Sequence, residues 1–241
     1  MINEVRNTVQ SILNKNNYGY LSSLDFNLFA KNAQMEVFLK FFMDYDMLIN
    51  EQNKRLSGTD YADRLKIIEE NIASFIDVKN LSPIGDGEYS VPSLLTTGTT
   101  MLRLDRLLCY DVTQVGPPIV RTFKGEASKV TQSRFTMLTN SNLTTPDEMF
   151  PIYTITGQRV VVSPSTFNLL GEVEATYVRY PADPKWTYVT ILGGDPVFDQ
   201  SQPDYQDFEV GLDEFNSLVA KILSQAGVSI REGEVVQYAE K

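Results

Sequence analysis

The sequence contains no histidine and a single cysteine, Cys109, and it is short of positive charge, with 21 Lys and Arg against 31 Asp and Glu for a formal net charge of −10. Each shortage excludes something. Without histidine the chain lacks the commonest general base, the commonest metal ligand, and both the Ser–His and Cys–His nucleophile pairs. A zinc site would have to be assembled from carboxylates and one thiol, an uncharacteristic ligand set. One cysteine leaves no intramolecular disulfide and matches assembly in a reducing cytosol. No apolar run approaches the roughly 18 residues that span a bilayer. The opening Met1-Ile2-Asn3-Glu4 has neither a basic region nor an apolar signal core, so no secretion signal and no membrane insertion are expected. Tight non-specific binding to DNA phosphates needs a basic footprint that the whole chain does not supply. An acidic surface repels DNA, although it also serves plain solubility.

What is present is ordinary globular material. The chain has 241 residues, 42% hydrophobic and 22% charged, enough to bury a sizeable core. The first third reads as helix. Ile2, Val5, Val9, Ile12 and Leu13 recur at helical spacing before Asn16-Asn17-Tyr18-Gly19 breaks the run. Ser22 and Asp25 stand at capping-box spacing, and no Gly or Pro interrupts the chain from Ser22 to Ser57. Leu24, Leu28, Met35, Phe38, Leu39, Phe42, Leu48 and Ile49 mark the apolar face of this long helix. After Ser57-Gly58-Thr59-Asp60, Tyr61, Leu65, Ile68, Ile72, Phe75 and Ile76 form a third stripe. The expectation is an antiparallel hairpin of the long pair with the first helix alongside.

The composition shifts near Leu81. Pro83, Gly85, Gly87 and Pro92 read as a linker or loop, and β-branched and aromatic residues rise beyond it. Expected strands are Thr99 to Val112, Lys129 to Leu138, Glu172 to Tyr180 and a short Trp186 to Leu192. The clearest hairpin joins Ile152–Ile155 to Arg159–Val162 through Thr156-Gly157-Gln158, where Gly157 supplies a positive φ. Gly193 to Asp207 reads as loop. Leu212, Phe215, Val219, Ile222 and Ala226 restore helical spacing, with Gly227 placed to end the helix and Val228–Lys241 left as an arm. The fold class expected is α+β: a helical bundle at 1–80, an antiparallel β insertion with loops at 81–206, a helix at 207–227 returning to the bundle, and a C-terminal arm at 228–241.

No residue set reads as catalytic, cofactor-binding or metal-ligating, and the chain is not expected to be an enzyme. Gly85-Asp86-Gly87 lacks the next glycine of a phosphate loop and is better read as a turn. Asp44 with Asp46 and Glu69 with Glu70 do not face each other on a helix, so they cannot work as acid and base. Cys109, within Leu107-Leu108-Cys109-Tyr110, reads as a buried thiol with no histidine to activate it. Two groups of residues point to assembly instead. Phe38, Phe41, Phe42 and Tyr45 spread over more than one helical face, so part of that surface calls for a neighbouring copy; Val235, Val236 and Tyr238 in the arm join them as candidate interface. Arg121, Lys124, Lys129 and Arg134 form a weak basic cluster that would face a partner or DNA, or simply water.

Three stretches resemble one family together. They are Met1-Ile2-Asn3-Glu4-Val5-Arg6 with Asn16-Asn17-Tyr18-Gly19-Tyr20 and Asp25–Gln34; Ile152–Pro164 with Val173–Pro181 and Pro184-Lys185-Trp186; and Glu214–Leu223 with Ala226-Gly227-Val228 and Arg231-Glu232. The chain resembles structural proteins of crAss-like phages, short-tailed viruses of gut Bacteroidetes, and within them a ring protein of the neck and tail. The likeness is one of segments and their order, weakest from about Leu81 to Met149, and it carries no active-site residues. It implies a virion protein assembled in the host bacterial cytoplasm. Adaptor-like neck proteins pair a helical bundle with a β insertion and form twelve-fold rings below the portal, with C-terminal arms reaching to neighbours. The partners implied are further copies of the chain in a dodecamer, the portal or adjacent ring and tail proteins, and genomic DNA passing through the channel without sequence-specific binding. The alternative is another component of the same virion, a tail-tube or fibre-attachment protein.

Overall fold

The computed structural model describes residues 1–15, 21–54, 62–92, 100–114, 120–167, 169–190 and 196–230. In chain order the elements are α1 (Ile2–Lys15), α2 (Ser23–Lys54), α3 (Ala62–Ala73), β1 (Ile76–Asn80), β2 (Pro83–Gly85), β3 (Glu88–Ser90), β4 (Met101–Gln114), β5 (Val120–Glu126), β6 (Ser128–Lys129), α4 (Gln132–Thr139), β7 (Ile152–Thr156), β8 (Arg159–Ser163), β9 (Val173–Arg179), β10 (Tyr188–Thr190), β11 (Pro196–Phe198), a 3-10 turn (Leu212–Glu214) and α5 (Phe215–Ile230). The fold is α+β. It divides into two compact units, Met1–Ser74 with Pro181–Lys241, and Phe75–Tyr180.

The helical unit begins with α1, which buries Ile2, Val5, Val9 and Leu13. At the start of α2, Ser22 Oγ accepts a hydrogen bond from the Asp25 amide at 3.1 Å and donates to Asp25 Oδ2 at 2.6 Å. The Asp25 carboxylate thus receives the Ser22 hydroxyl where a full capping box would have it receive the Ser22 amide. At 1.5 Å per residue, α2 is roughly 48 Å long. Its buried face runs through Phe26, Ala30, Ala33, Val37, Phe41 and Leu48. That differs from the stripe read in the sequence. Phe38 and Leu48 are buried, but Leu24, Leu28 and Leu39 face water. The two alanines are part of the reason: both are fully buried on this face, whereas a search for large apolar residues passes over them. The two helices run antiparallel, with Lys221 paired to Glu36 at 2.7 Å and Asn32 donating to Gln225 at 3.5 Å. Helix α5 buries Leu218, Ile222, Leu223 and Ala226, and it continues through a buried Gly227 to Ile230. Gly227 therefore does not end the helix. It extends the small surface that Ala226 begins.

The chain from Pro181 onward belongs to this unit because α2 holds it. Gln34, 1% exposed, donates to the Ala182 carbonyl at 2.7 Å and accepts from the Glu209 amide at 3.0 Å. Lys31 pairs with Asp183 at 2.7 Å. The segment expected as the tail of a β insertion reaching 206 is thus part of the helical unit, and β10 and β11 form a separate two-stranded ladder within it.

The β unit contains two sheets, of order β1-β9-β4-β5 and β2-β3-β8-β7-β6. Their inner faces share one core, which includes Tyr89, Leu107, Cys109, Val162, Val173 and Tyr177. The pairings are antiparallel except β6 with β7, which is parallel over Ser128↔Ile152 and Lys129↔Tyr153. Strand β9 alternates as the sequence predicts, with Val173, Ala175 and Tyr177 inward. Three readings change. Phe75 and Ile76 do not continue the third helix: Phe75 is buried and Ile76 opens β1, so the β unit starts before residue 81. The Pro- and Gly-rich stretch after Leu81 is a hairpin, β2–β3, turning at Asp86-Gly87 with Gly87 at φ 71°. A Cβ there would lie 2.6 Å from the Val162 carbonyl oxygen, so glycine is required twice over. Finally, Lys129 to Leu138 is not a strand. It ends β6 and becomes α4, which buries nothing and in which the Thr136 and Thr139 hydroxyls bond back to the carbonyls of Gln132 and Phe135.

Candidate assembly surfaces

Among the residues singled out in the sequence, Phe38 and Phe41 belong to the chain's own core, at 0% and 5% exposure. They cannot face a neighbour. Phe42 and Tyr45 are half-buried, with Phe42 edge-on to Phe38 at 5.1 Å between ring centroids. Helix α2 is apolar on several sides, as the sequence indicates, but different side chains carry its outer face. Leu24, Leu28, Leu39 and Met43 are 77, 52, 45 and 71% exposed. At 100° per residue they fall within about a third of the helix circumference, on the side away from Phe26, Ala30 and Val37. Val235, Val236 and Tyr238 lie outside the described residues.

The basic cluster separates into two pairs. Arg121 reaches Glu174 at 2.5 Å and Asn80 Oδ1 at 3.1 Å, and its guanidinium sits 4.2 Å from the centroid of the Tyr110 ring. Tyr110 in turn donates to Glu174 at 3.3 Å, and burial, with the Glu174 charge, pushes its phenol up from the ordinary range. Lys124 bridges Asp111 at 3.3 Å and Glu148 at 3.2 Å, and those hydrogen bonds raise its pKa. Both are fastened within the β unit. Lys129 and Arg134 are exposed and have no ion pair among the described residues.

Sequence reasoning missed the most tightly built cluster in the helical unit. Trp186, the only tryptophan, is 2% exposed. It stacks on Tyr188 and Phe198 at centroid distances of 5.5 and 6.0 Å, and the Arg6 guanidinium lies 3.7 Å over its ring. Its indole N–H donates to Asn3 Oδ1 at 3.1 Å. Asn27 accepts from the Trp186 amide at 2.8 Å and donates to its carbonyl at 3.2 Å. Nearby, Asp207 accepts from the Met1 ammonium at 3.0 Å and the Ile2 amide at 2.8 Å. Burial works to raise the Asp207 pKa, but these donors and the Phe208 amide outweigh it and hold the carboxyl below its usual range. The ties are structural: the Trp186 indole and backbone, Asn27 and Asp207 are all turned onto other parts of the chain.

Among the described residues, three of the solvent-open concavities stand out. One in the β unit, about 480 Å³, has Lys79, Ser82, Gln158 and Arg159 on its wall, and Arg159 is tied to Glu88 at 3.0 Å. A second, about 380 Å³, lies beside Trp186 and is closed on one side by the Lys185–Asp204 pair. The third, about 370 Å³, is a groove between α2 and α3 floored by Met47, Leu48, Ile67 and Ile68. Among the described residues no group of three or more Cys, Asp or Glu side chains is placed to hold a metal ion, and no helix is long and apolar enough to cross a membrane. Cys109 is buried between the sheets, and burial together with the Glu172 charge pushes its thiol up to about 12. Neither a known family model nor any curated protein matches the chain.

Proposed function

We propose that the chain is a structural subunit of a phage head-to-tail connector, assembling with copies of itself into a ring that joins portal to tail and leaves a channel for DNA. The observation that carries this reading is the outer face of α2. Leu24, Leu28, Leu39 and Met43 stand at 45 to 77% exposure on a helix whose opposite face is buried through Phe26, Ala30, Ala33, Val37 and Phe41. Burying a large apolar side chain is worth roughly 1.5–3 kcal/mol, so covering these four from their present exposure yields on the order of 4–7 kcal/mol before association costs. A linear apolar stripe along a 32-residue helix is the kind of surface that neighbouring subunits cover. The likeness to crAss-like ring proteins points the same way. So does the acidic balance, which keeps phosphate from adhering to a channel wall.

The test is a reconstruction of purified particles with mass spectrometry of their proteins. The expected result is this chain in many copies in one ring at the head–tail junction. Its absence from particles, or its presence there as an isolated monomer, overturns the reading. A three-fold or six-fold assembly away from the portal would transfer it to the tail.

A further inference from the structure

The β unit displays an apolar tip that its own fold takes trouble to hold outward. Met149 and Phe150 are 66 and 73% exposed. They do not hang on a loose loop. Asp147 Oδ1 accepts from both the Met149 and the Phe150 amides, at 3.1 and 2.8 Å, and Glu148 is anchored to Lys124 at 3.2 Å. The Met149 backbone passes so close to β5 that a Cβ on Gly125 would stand 2.5 Å from the Met149 carbonyl oxygen. On the far side the Pro151 carbonyl accepts from the Ser128 amide at 2.9 Å. A braced turn with two large apolar side chains in water has the character of an interface anchor, since little freedom remains to be lost on binding.

The same chain also carries a matching receptor. The α2–α3 groove has an apolar floor in which Met47 and Ile67 are 55 and 54% exposed. Its rim carries Lys40 and Arg64, both exposed and without an ion pair among the described residues, together with one acid, Asp44. The rim is therefore net positive. The tip is net negative where it would enter, because Asp147 and Glu148 directly precede Met149 and Phe150.

We propose that the Asp147–Pro151 turn of one copy seats Met149 and Phe150 in the α2–α3 groove of the next copy. This rests on the ring reading and names one of its contacts. Tip and groove are different surfaces of one chain, so the contact is heterologous, and a joined pair still offers one free groove at one end and one free tip at the other. Repeated association of this type closes into a ring when the rotation permits.

The experiment is complementation between two disabled surfaces in the full chain, followed by sedimentation velocity. Phe150→Ser removes the tip and Ile67→Ser spoils the groove. Both positions are exposed, so each variant should melt with the wild type. Each alone should self-associate at least about tenfold more weakly than wild type, the loss expected of a central apolar anchor. Mixed in equal amounts, they should recover a dimer at wild-type affinity, because one intact tip meets one intact groove. Oligomers that persist unchanged in both variants overturn this contact and leave the ring standing on other surfaces. Variants that are both monomeric and fail to recover on mixing also overturn it. A wild-type chain that stays monomeric overturns the contact too, while the ring itself is judged separately in purified particles.

Discussion

Replacing Asn27 with alanine should loosen the helical unit by about 2–3 kcal/mol. Asn27 is the one side chain of α2 that bonds both the amide and the carbonyl of Trp186, at 2.8 and 3.2 Å. Alanine deletes a donor and an acceptor at once and leaves two backbone groups of a residue that is 2% exposed without them. Each such loss costs about 1–3 kcal/mol, at the lower end for the carbonyl, whose bond is longer. Alanine's better helix propensity returns about 0.6 kcal/mol. Asn27→Asp keeps the acceptor but sets a carboxylate against the Trp186 carbonyl, and it should be no better tolerated than alanine. The chain supplies its own probe, because Trp186 is its only tryptophan. Urea unfolding followed by tryptophan emission should show the midpoint fall by about 1 M for a slope near 2 kcal/mol per M. Asn32→Ala, which removes only an exposed 3.5 Å bond to Gln225, is the control and should stay within about 0.5 kcal/mol. If Asn27→Ala is as mild as that control, the Trp186 clamp does not hold the two ends of the chain together.

Further outcomes follow from other sites. Reversing Arg121 to Glu sets a second carboxylate beside the mostly buried Glu174 and should cost about 2–3 kcal/mol in thermal unfolding, whereas Lys129→Glu should stay within about 0.5 kcal/mol. Equal effects would show that Arg121 is surface charge after all. Cys109, with its thiol near 12, should be thiolate in only about one molecule in ten thousand at pH 8 and should resist a disulfide reagent until urea opens the β unit; rapid labelling of the native chain would contradict its burial. Asp207 has a folded pKa below its unfolded value of about 3.9, so its contribution is complete above that value and is lost as pH falls through the folded pKa. The gap in urea midpoint between wild type and Asp207→Asn should therefore be open at pH 7 and close in strong acid. A gap that widens on acidification would reverse the sign.

Local signals in the sequence carried the helices and the better hairpin. Ser22 and Asp25 do start α2, and the Thr156-Gly157-Gln158 connection does join β7 to β8, because caps and tight turns are decided by a few neighbouring residues. The boundaries and the faces were less readable. Ile76 extends a helical stripe in sequence yet pairs with Val178, and that pairing is long-range and invisible to periodicity. The inner face of α2 includes the small residues Ala30 and Ala33, which a count of large apolar side chains overlooks, while Phe38 and Phe41, which the sequence offers as shared surface, are core. Arg121 and Lys124 looked available because Glu174, Asp111 and Glu148 are distant in sequence or lie on neighbouring strands. The Met149–Phe150 tip did leave a trace, two large apolar residues outside any period between Asp147-Glu148 and Pro151.

The helical unit is made from both ends of the chain, and that fixes an order of events during synthesis. Residues 75–180 are contiguous and can complete their core as soon as they clear the ribosome, whereas α1 to α3 must wait for the residues beyond 181. At roughly 5–20 residues per second, the interval between the end of α3 and the arrival of Ala226 is on the order of 8–30 s. Through that interval α2 has no α5 to lie against, and Asn27 has no Trp186 to hold. If the chain joins neighbours as proposed, the face of α2 that would meet them gains its backing only once α5 has been made, so chains stalled before α5 would be poor partners.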